Sequence, residues 1–377
     1  MINLTDTATE RRRLTRNRIF KYIYESDSPK TKQVIATDLS LSMPTVHQNL
    51  TDLFDAGLIC YSGVQPSTGG RRAKGIVINQ GIRFSVGISI NENSLSFVAA
   101  DLLLKEIAYK KTQKFIISEL EDFGLFIANS LEEFLDEKKL DRKMLLGVGI
   151  AIPAIINFSK QEIIMAPTLD LGSTSLKMLT QHIPYNVFIE NDATSAGFAE
   201  WFARPENGNM AYISLENGVG GALFVNGVPY FGDNHRSAEF GHICIVPDGL
   251  RCKCGKQGCF ETYCSSKRIS DDLGITVDEF FNGVASGNER YKHLLNDVLK
   301  HLSVAVNNIR MSMDCNIIIG GAMSQYLEPY IPQLQNFVSF NNTFESNADF
   351  VQLSHYPKRA VPLGVALHFI KNFIESI

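Results

Sequence analysis

Three cysteines and a histidine crowd into one short stretch: His242, then Cys252-Lys253-Cys254-Gly255-Lys256-Gln257-Gly258-Cys259. Three thiolates and an imidazole are four borderline-soft donors, enough to close a tetrahedral zinc shell; with no position left open, the metal is expected to be structural. Gly255 and Gly258 let the chain fold tightly around an ion. Cys244 is a rival ligand by proximity, although its apolar run points to burial. Seven cysteines is an odd number, and the other four are scattered, so metal ligation in a reducing compartment fits better than a disulfide framework.

A second set of polar side chains has chemistry suited to base edges. Val46, Leu50 and Leu53 recur at helical spacing and face inward, which leaves Thr45, Gln48, Asn49 and Asp52 outside, flanked by His47 and Thr51. Gln and Asn pair with adenine in the major groove and Thr meets a thymine methyl, whereas Asp52 suits helix pairing or solvent. The surrounding elements fit this reading. Arg16–Glu25 carries Ile19, Phe20 and Ile23 on one helical face, Ser28-Pro29 breaks the chain, and Thr31–Asp38 forms a short helix burying Val34 and Ile35. Ser42 is the expected N-cap of the next helix, with Pro44 in its first turn. After Gly57 come a Leu58–Tyr61 strand, a Ser62–Gly70 loop and a Gly75–Asn79 strand, with Arg71, Arg72 and Lys74 at the loop's far side. This is the grammar of a winged helix-turn-helix over residues 1–80, with Thr45, His47, Gln48, Asn49, Arg71, Arg72 and Lys74 as candidate DNA contacts. A three-helix protein-interaction module is the bland alternative.

Charge is divided accordingly. Residues 1–80 hold 11 Lys and Arg against 7 Asp and Glu, a balance of +4, while the other 297 residues carry −8. A basic head on an acidic body suits a polyanion met by the head alone.

Beyond residue 80 the pattern changes. Phe84–Ile90, Leu95–Leu104 and Glu106–Phe115 read as strands, an amphipathic helix follows near 118–138, and Met144–Ile152, Asn186–Glu190, Met210–Leu215 and Asn316–Ile319 read as further strands. This alternation indicates α/β, and Met210–Val225 echoes Phe84–Leu104 as if two lobes were related. No apolar run is long enough to span a bilayer, and the polar, basic amino terminus lacks a secretory core, so a cytoplasmic protein without membrane contact is expected.

Ser237-Ala238-Glu239-Phe240-Gly241-His242, followed by Cys-x-Cys-Gly-x-x-Gly-Cys-x-Glu, resembles the signature of the ROK family of repressors, open reading frames and kinases. Glu190-Asn191-Asp192-Ala193, with Glu200 beyond, is similar to that family's catalytic segment. The match runs from about residue 80 to 377, and the amino-terminal module fits the repressor branch. The resemblance implies a two-lobed, actin-like ATPase (ribonuclease H-like) fold over residues 81–377 with a hexose in the cleft. It also implies sugar contacts from Asn191, Asp192, Glu239, His242 and Glu261, with His242 shared with zinc; Asp192 matches the kinases' general base.

The nucleotide side departs from the family. Where kinases have Asp-x-Gly-Gly-Thr, this chain reads Ser89-Ile90-Asn91-Glu92-Asn93, and its second phosphate loop carries Glu216. Acids gained in both loops argue against triphosphate binding. Ile319-Gly320-Gly321 survives on the adenosine side. Thr168 replaces the family's Asn in Pro-Asn-Leu, so the ligand is not expected to be plain glucose. The expectation is a sugar-responsive repressor without catalytic residues, binding operator DNA and a sugar or sugar phosphate as a homodimer or homotetramer. The alternative is a bifunctional, ATP-dependent sugar kinase with a DNA-binding head.

Overall fold

The computed structural model describes residues 8–64, 74–117, 122–204 and 208–377. Three helices open the chain, α1 (Ala8–Tyr24), α2 (Lys32–Asp38) and α3 (Met43–Asp55), followed by a hairpin of β1 (Ile59–Val64) and β2 (Lys74–Ile78). Ser42 caps α3 by accepting the Thr45 N–H at 3.2 Å, and Thr31 caps α2 in the same way. Ile19, Phe20 and Ile23 pack with Ile35, Val46, Leu50, Leu53 and Ile76.

Two expectations are corrected here. Val34 is exposed, because the buried stripe of seven-residue α2 is limited to Ile35 and Ala36. The first helix begins at Ala8 rather than near Arg16; its first turns are exposed and polar, so no apolar periodicity marks them. Asn79 closes the module, its N–H reaching the Leu58 carbonyl and its amide the Gly57 carbonyl at 2.8 Å.

The body holds two five-stranded sheets. The first is built from β3 (Phe84–Asn91), β4 (Ser94–Asp101), β5 (Glu106–Lys111), then α4 (Phe123–Glu137) and β6 (Leu145–Ile152). A small sheet of β7 (Ile155–Asn157), β8 (Glu162–Met165) and β9 (Thr174–Ser175) follows, with α5 (Lys177–Thr180), β10 (Val187–Asn191) and α6 (Asp192–Phe202). The second is built from β11 (Met210–Leu215), β12 (Val219–Val225) and β13 (Val228–Pro229). It is completed after α7 (Glu261–Cys264), α8 (Ser266–Leu273), α9 (Val277–Ala285) and α10 (Glu289–Met313) by β14 (Asn316–Gly320), α11 (Ile331–Asn341) and β15 (Val351–Leu353). The sheet orders are β5-β4-β3-β6-β10 and β13-β12-β11-β14-β15. In both, three antiparallel strands lead into two parallel ones, so the echo in the sequence is a repeated topology.

The last helix, α12 (Ala360–Ser376), crosses the first sheet and joins the parts. Near its start the Ser195 hydroxyl of α6 donates to the Val361 carbonyl at 2.6 Å. A Cβ at Gly364 would lie 1.8 Å from the Ser195 carbonyl oxygen, so only glycine permits this approach. At its far end Asn17 of α1 donates to the Ile374 carbonyl at 2.8 Å and Arg16 to that of Ile377 at 2.7 Å. Leu367, Ile370 and Ile374 share one core with Ile19, Phe20 and Ile23, each buried aliphatic contributing about 2 kcal/mol. The change of topology near residue 80 is therefore not a gap in packing.

Candidate functional site

The first residues of α6 enter the cleft. Asn191 is the helix N-cap: its Oδ1 accepts the Thr194 N–H at 3.0 Å and its Nδ2 donates to the Ala154 carbonyl at 3.1 Å. The amide is fixed, with one N–H left for a ligand. Asp192 accepts the Ala193 N–H at 2.8 Å; burial, reinforced by the Glu239 charge, pushes its carboxyl up to about 6. Burial also raises Glu190 to about 8, although it accepts the Asn191 N–H at 2.7 Å. Glu239 is raised by desolvation and by Glu261, against the opposing effect of His242.

A pocket open to solvent is lined by Ala154, Phe158, Glu190, Asn191, His235 and Glu239, among others. Of the predicted sugar contacts it holds Asn191 and Glu239, with Asp192 adjoining. Glu261 and His242 stand 3.7 Å apart beside the cysteine cluster. Phe158, Phe231 and His235 form an aromatic wall, with the two phenylalanine rings 5.4 Å apart. Sequence reasoning missed this wall, because Phe158 and the pair Phe231 and His235 come from two loops far apart in the chain, with no periodicity. Glu190 stood in plain view inside the quoted segment. Thr168 lies exposed on a short turn. Glu200, further along α6, is fully buried against Arg204 and accepts the His355 and Tyr356 N–H groups at 2.9 Å, which ties α6 to the approach of α12.

The nucleotide-side positions are differently occupied. Residues 92 and 93 form the turn of the β3–β4 hairpin, with Glu92 exposed. The Glu216 carboxylate accepts the Ala322 N–H, just after Gly320-Gly321, at 2.8 Å; burial and the Asp192 charge lift it to about 7.

His242, Cys252, Cys254 and Cys259 converge, with their donor atoms within 4.8 Å of one another. Cys254 Sγ lies 3.7 Å from Cys259 Sγ, and Cys252 Sγ lies 3.9 Å from His242 Nδ1. Such separations suit donors around a single ion. Burial raises the Cys252 and Cys259 thiols, whereas the Lys256 N–H helps to hold that of Cys254 low. Gly258 has a φ of +78°, and a Cβ there would strike the Val246 carbonyl at 1.9 Å. Cys244, expected to be buried, is exposed, since its neighbours Ile243 and Ile245 pack against the core and extended backbone turns alternate side chains outward; it is outside the four-donor group.

On α3, His47 and Gln48 are exposed and Thr45 is half-buried. Asn49, predicted to face outward, is only 3% exposed, because α1 packs along α3 and widens the buried stripe. Its Nδ2 donates to the Thr45 carbonyl at 2.8 Å. Asp52 pairs with Arg12 of α1 at 2.7 Å. Lys74 is exposed, 5.0 Å over the Tyr61 ring, while Arg71 and Arg72 lie outside the described residues.

The ROK family model matches residues 104–370. The xylose repressor of Bacillus subtilis is 26% identical over 311 residues, covering 81% of this chain and 77% of its own length. The DNA-binding transcriptional dual regulator NagC of Escherichia coli is 22% identical over 385 residues, covering 91% of this chain and 92% of that protein. Among solved structures, a ROK family transcriptional regulator described as a homolog of the E. coli MLC protein superposes with a TM-score of 0.73 at 21% identity, covering 97% of both chains. A ROK family glucokinase from Streptomyces griseus, in complex with glucose and AMPPNP, gives 0.63 at 20% identity, covering 76% of this chain and 98% of that one. The structural likenesses establish the fold, a sugar-kinase-type α/β architecture.

Proposed function

This chain belongs to the ROK family, and we propose that it is a sugar-responsive, DNA-binding transcriptional regulator, a repressor of carbohydrate-metabolism genes. The observation that carries this reading is the continuity of α12. It packs at one end on α6, whose first turn bears Asn191 and Asp192, and at the other on α1, which flanks the outward side chains of α3. Relatives matched over most of the chain are named a xylose repressor and a DNA-binding transcriptional dual regulator.

Within this reading, residues 1–80 bind operator DNA through Thr45, His47, Gln48, Lys74 and the wing arginines. Residues 81–377 hold the effector through Asn191, Asp192, Glu239, His242 and Glu261. Vicinal hydroxyls pair well with such carboxylates and amides, and these groups reject the wrong epimer. Asp192, Glu216 and Glu239 together favour an uncharged sugar over its phosphate. A sugar drawing Asp192 and Glu239 together shifts α6, and with it α12 and α1. This regulates DNA binding only if the two states bind sugar unequally. Zinc is the metal we assign to His242, Cys252, Cys254 and Cys259: tetrahedral thiolates around Zn–S bonds of about 2.3 Å stand about 3.8 Å apart. It would hold His242 and Glu261 at the cleft without taking part in chemistry. The protein is proposed to act in the cytoplasm as a homo-oligomer, which supplies two heads for paired half-sites; no helix among the described residues is long and apolar enough to cross a membrane.

One observation favours a second reading, ATP-dependent sugar phosphorylation: the raised carboxyl of Asp192 suits a general base. Glu216, already bound to the Ala322 N–H, weighs against it. Incubation with magnesium, ATP and a monosaccharide panel separates the two. Phosphate transfer that disappears in Asp192→Asn would establish the kinase; no transfer alongside sugar-dependent melting shifts would establish the sensor.

A further inference from the structure

We propose that α1 and α2 fix the hydrogen-bonding sense of two base-facing side chains of α3, making Lys32, Arg12 and Asp52 positioning residues for sequence reading. This deepens the DNA-binding reading and rests on it. His47 and Gln48 are neighbours, and both are exposed. His47 Nδ1 lies 3.0 Å from Lys32 Nζ. An ammonium group can only donate, so Nδ1 accepts and the ring proton sits on Nε2. His47 thus presents a donor outward, complementary to guanine N7 or O6.

Gln48 is set from the other side. Its Nε2 donates to Asp52 Oδ1 at 3.4 Å, and a carboxylate only accepts, so the amide cannot be reversed. One N–H and the carbonyl oxygen remain, the pair required by an adenine edge. Asp52 is anchored by Arg12, whose Nη2 reaches Oδ2 at 2.7 Å and Oδ1 at 2.9 Å, while Nε adds a third bond at 3.2 Å. That guanidinium also offsets a carboxylate that phosphates would otherwise repel. The consequence is a reader preset for guanine opposite His47 and adenine opposite Gln48.

The test uses the full chain. Sites are first selected from a library of randomised duplex DNA, and affinities for every single-base variant of the selected site are then measured. Gln48→Ala is expected to lose about tenfold preference for adenine at one position, the value of one good side-chain-to-base pair. Arg12→Ala and Asp52→Ala should each lose about threefold at that same position, a fraction of the pair. They should do so although they change the chain's charge in opposite directions, and neither should add to Gln48→Ala. Lys32→Met should relax guanine preference at a different position. Opposite, sequence-independent changes in affinity for Arg12→Ala and Asp52→Ala would mark simple charge effects and overturn the proposal, as would losses that add to Gln48→Ala. Failure of the unmodified chain to select any sequence would remove the DNA-reading function itself, and the proposal with it.

Discussion

The two sides of the cleft differ in what fills them. On one side, Asn191 is held by its capping bonds, and Glu239 stands close enough to Asp192 for its charge to add to burial in raising that carboxyl. These groups are ordered with capacity left for a ligand. On the other side, Glu216 spends its carboxylate on the Ala322 N–H, and the β3–β4 turn closes tightly behind Glu92. A backbone N–H already paired with an internal anion is a poor cradle for an external phosphate. On the proposed reading, one side of the cleft keeps groups free to meet a sugar while the other is taken over by the protein's own side chains.

The largest effect is expected from removing the proposed zinc. Chelation, or Cys252→Ser, should lower Tm by roughly 10 °C or more, given apparent structural-zinc energies on the order of 10 kcal/mol. Sugar binding should be lost together with the zinc measured by elemental analysis; unchanged melting without metal would refute a structural role. Asp192→Asn is next. Loss of a hydrogen bond to a charged group should weaken sugar binding roughly ten- to a hundredfold with folding intact, as calorimetry would show. A smaller gain is expected from Glu216→Thr: millimolar AMPPNP should stabilise the variant by about 1–2 kcal/mol and leave the original chain unmoved. Equal shifts in both would mean that Glu216 blocks nothing.

A further effect concerns pH. Burial lifts Glu190 to about 8, so the folded state holds a proton that the unfolded chain releases near pH 4.5. Its contribution is therefore fully present below that value and is lost as pH rises through 8. Tm of the sugar-free protein should fall across pH 5 to 8, and Glu190→Gln should flatten that slope.

Much of this was legible in the sequence, and the exceptions share a physical cause. The cysteine cluster is local, so its spacing alone exposes it, while the Glu190–Asp192 segment stands out through its resemblance to the ROK family's catalytic segment. The repeated sheet order follows from strands with clear apolar runs. Asn49 escaped because a polar residue at i+3 from Val46 looks solvated until α1 is laid along the same groove. The seating of α1 on α12 escaped too: Asn17 and Arg16 bond main-chain carbonyls more than 350 positions away, and no periodicity encodes a bond to a carbonyl. Arg12 on Asp52 is the same kind of contact, side chain to side chain between helices 40 residues apart.

On the proposed function, a sugar in the cleft changes DNA binding by the head. The direct measurement is the affinity of the full chain for DNA from the intergenic region beside its own gene, titrated with a panel of sugars and sugar phosphates. Salt-dependent, sequence-selective binding that one sugar changes is expected, with Asp192→Asn insensitive to it. Binding that is non-specific and indifferent to every sugar would contradict it.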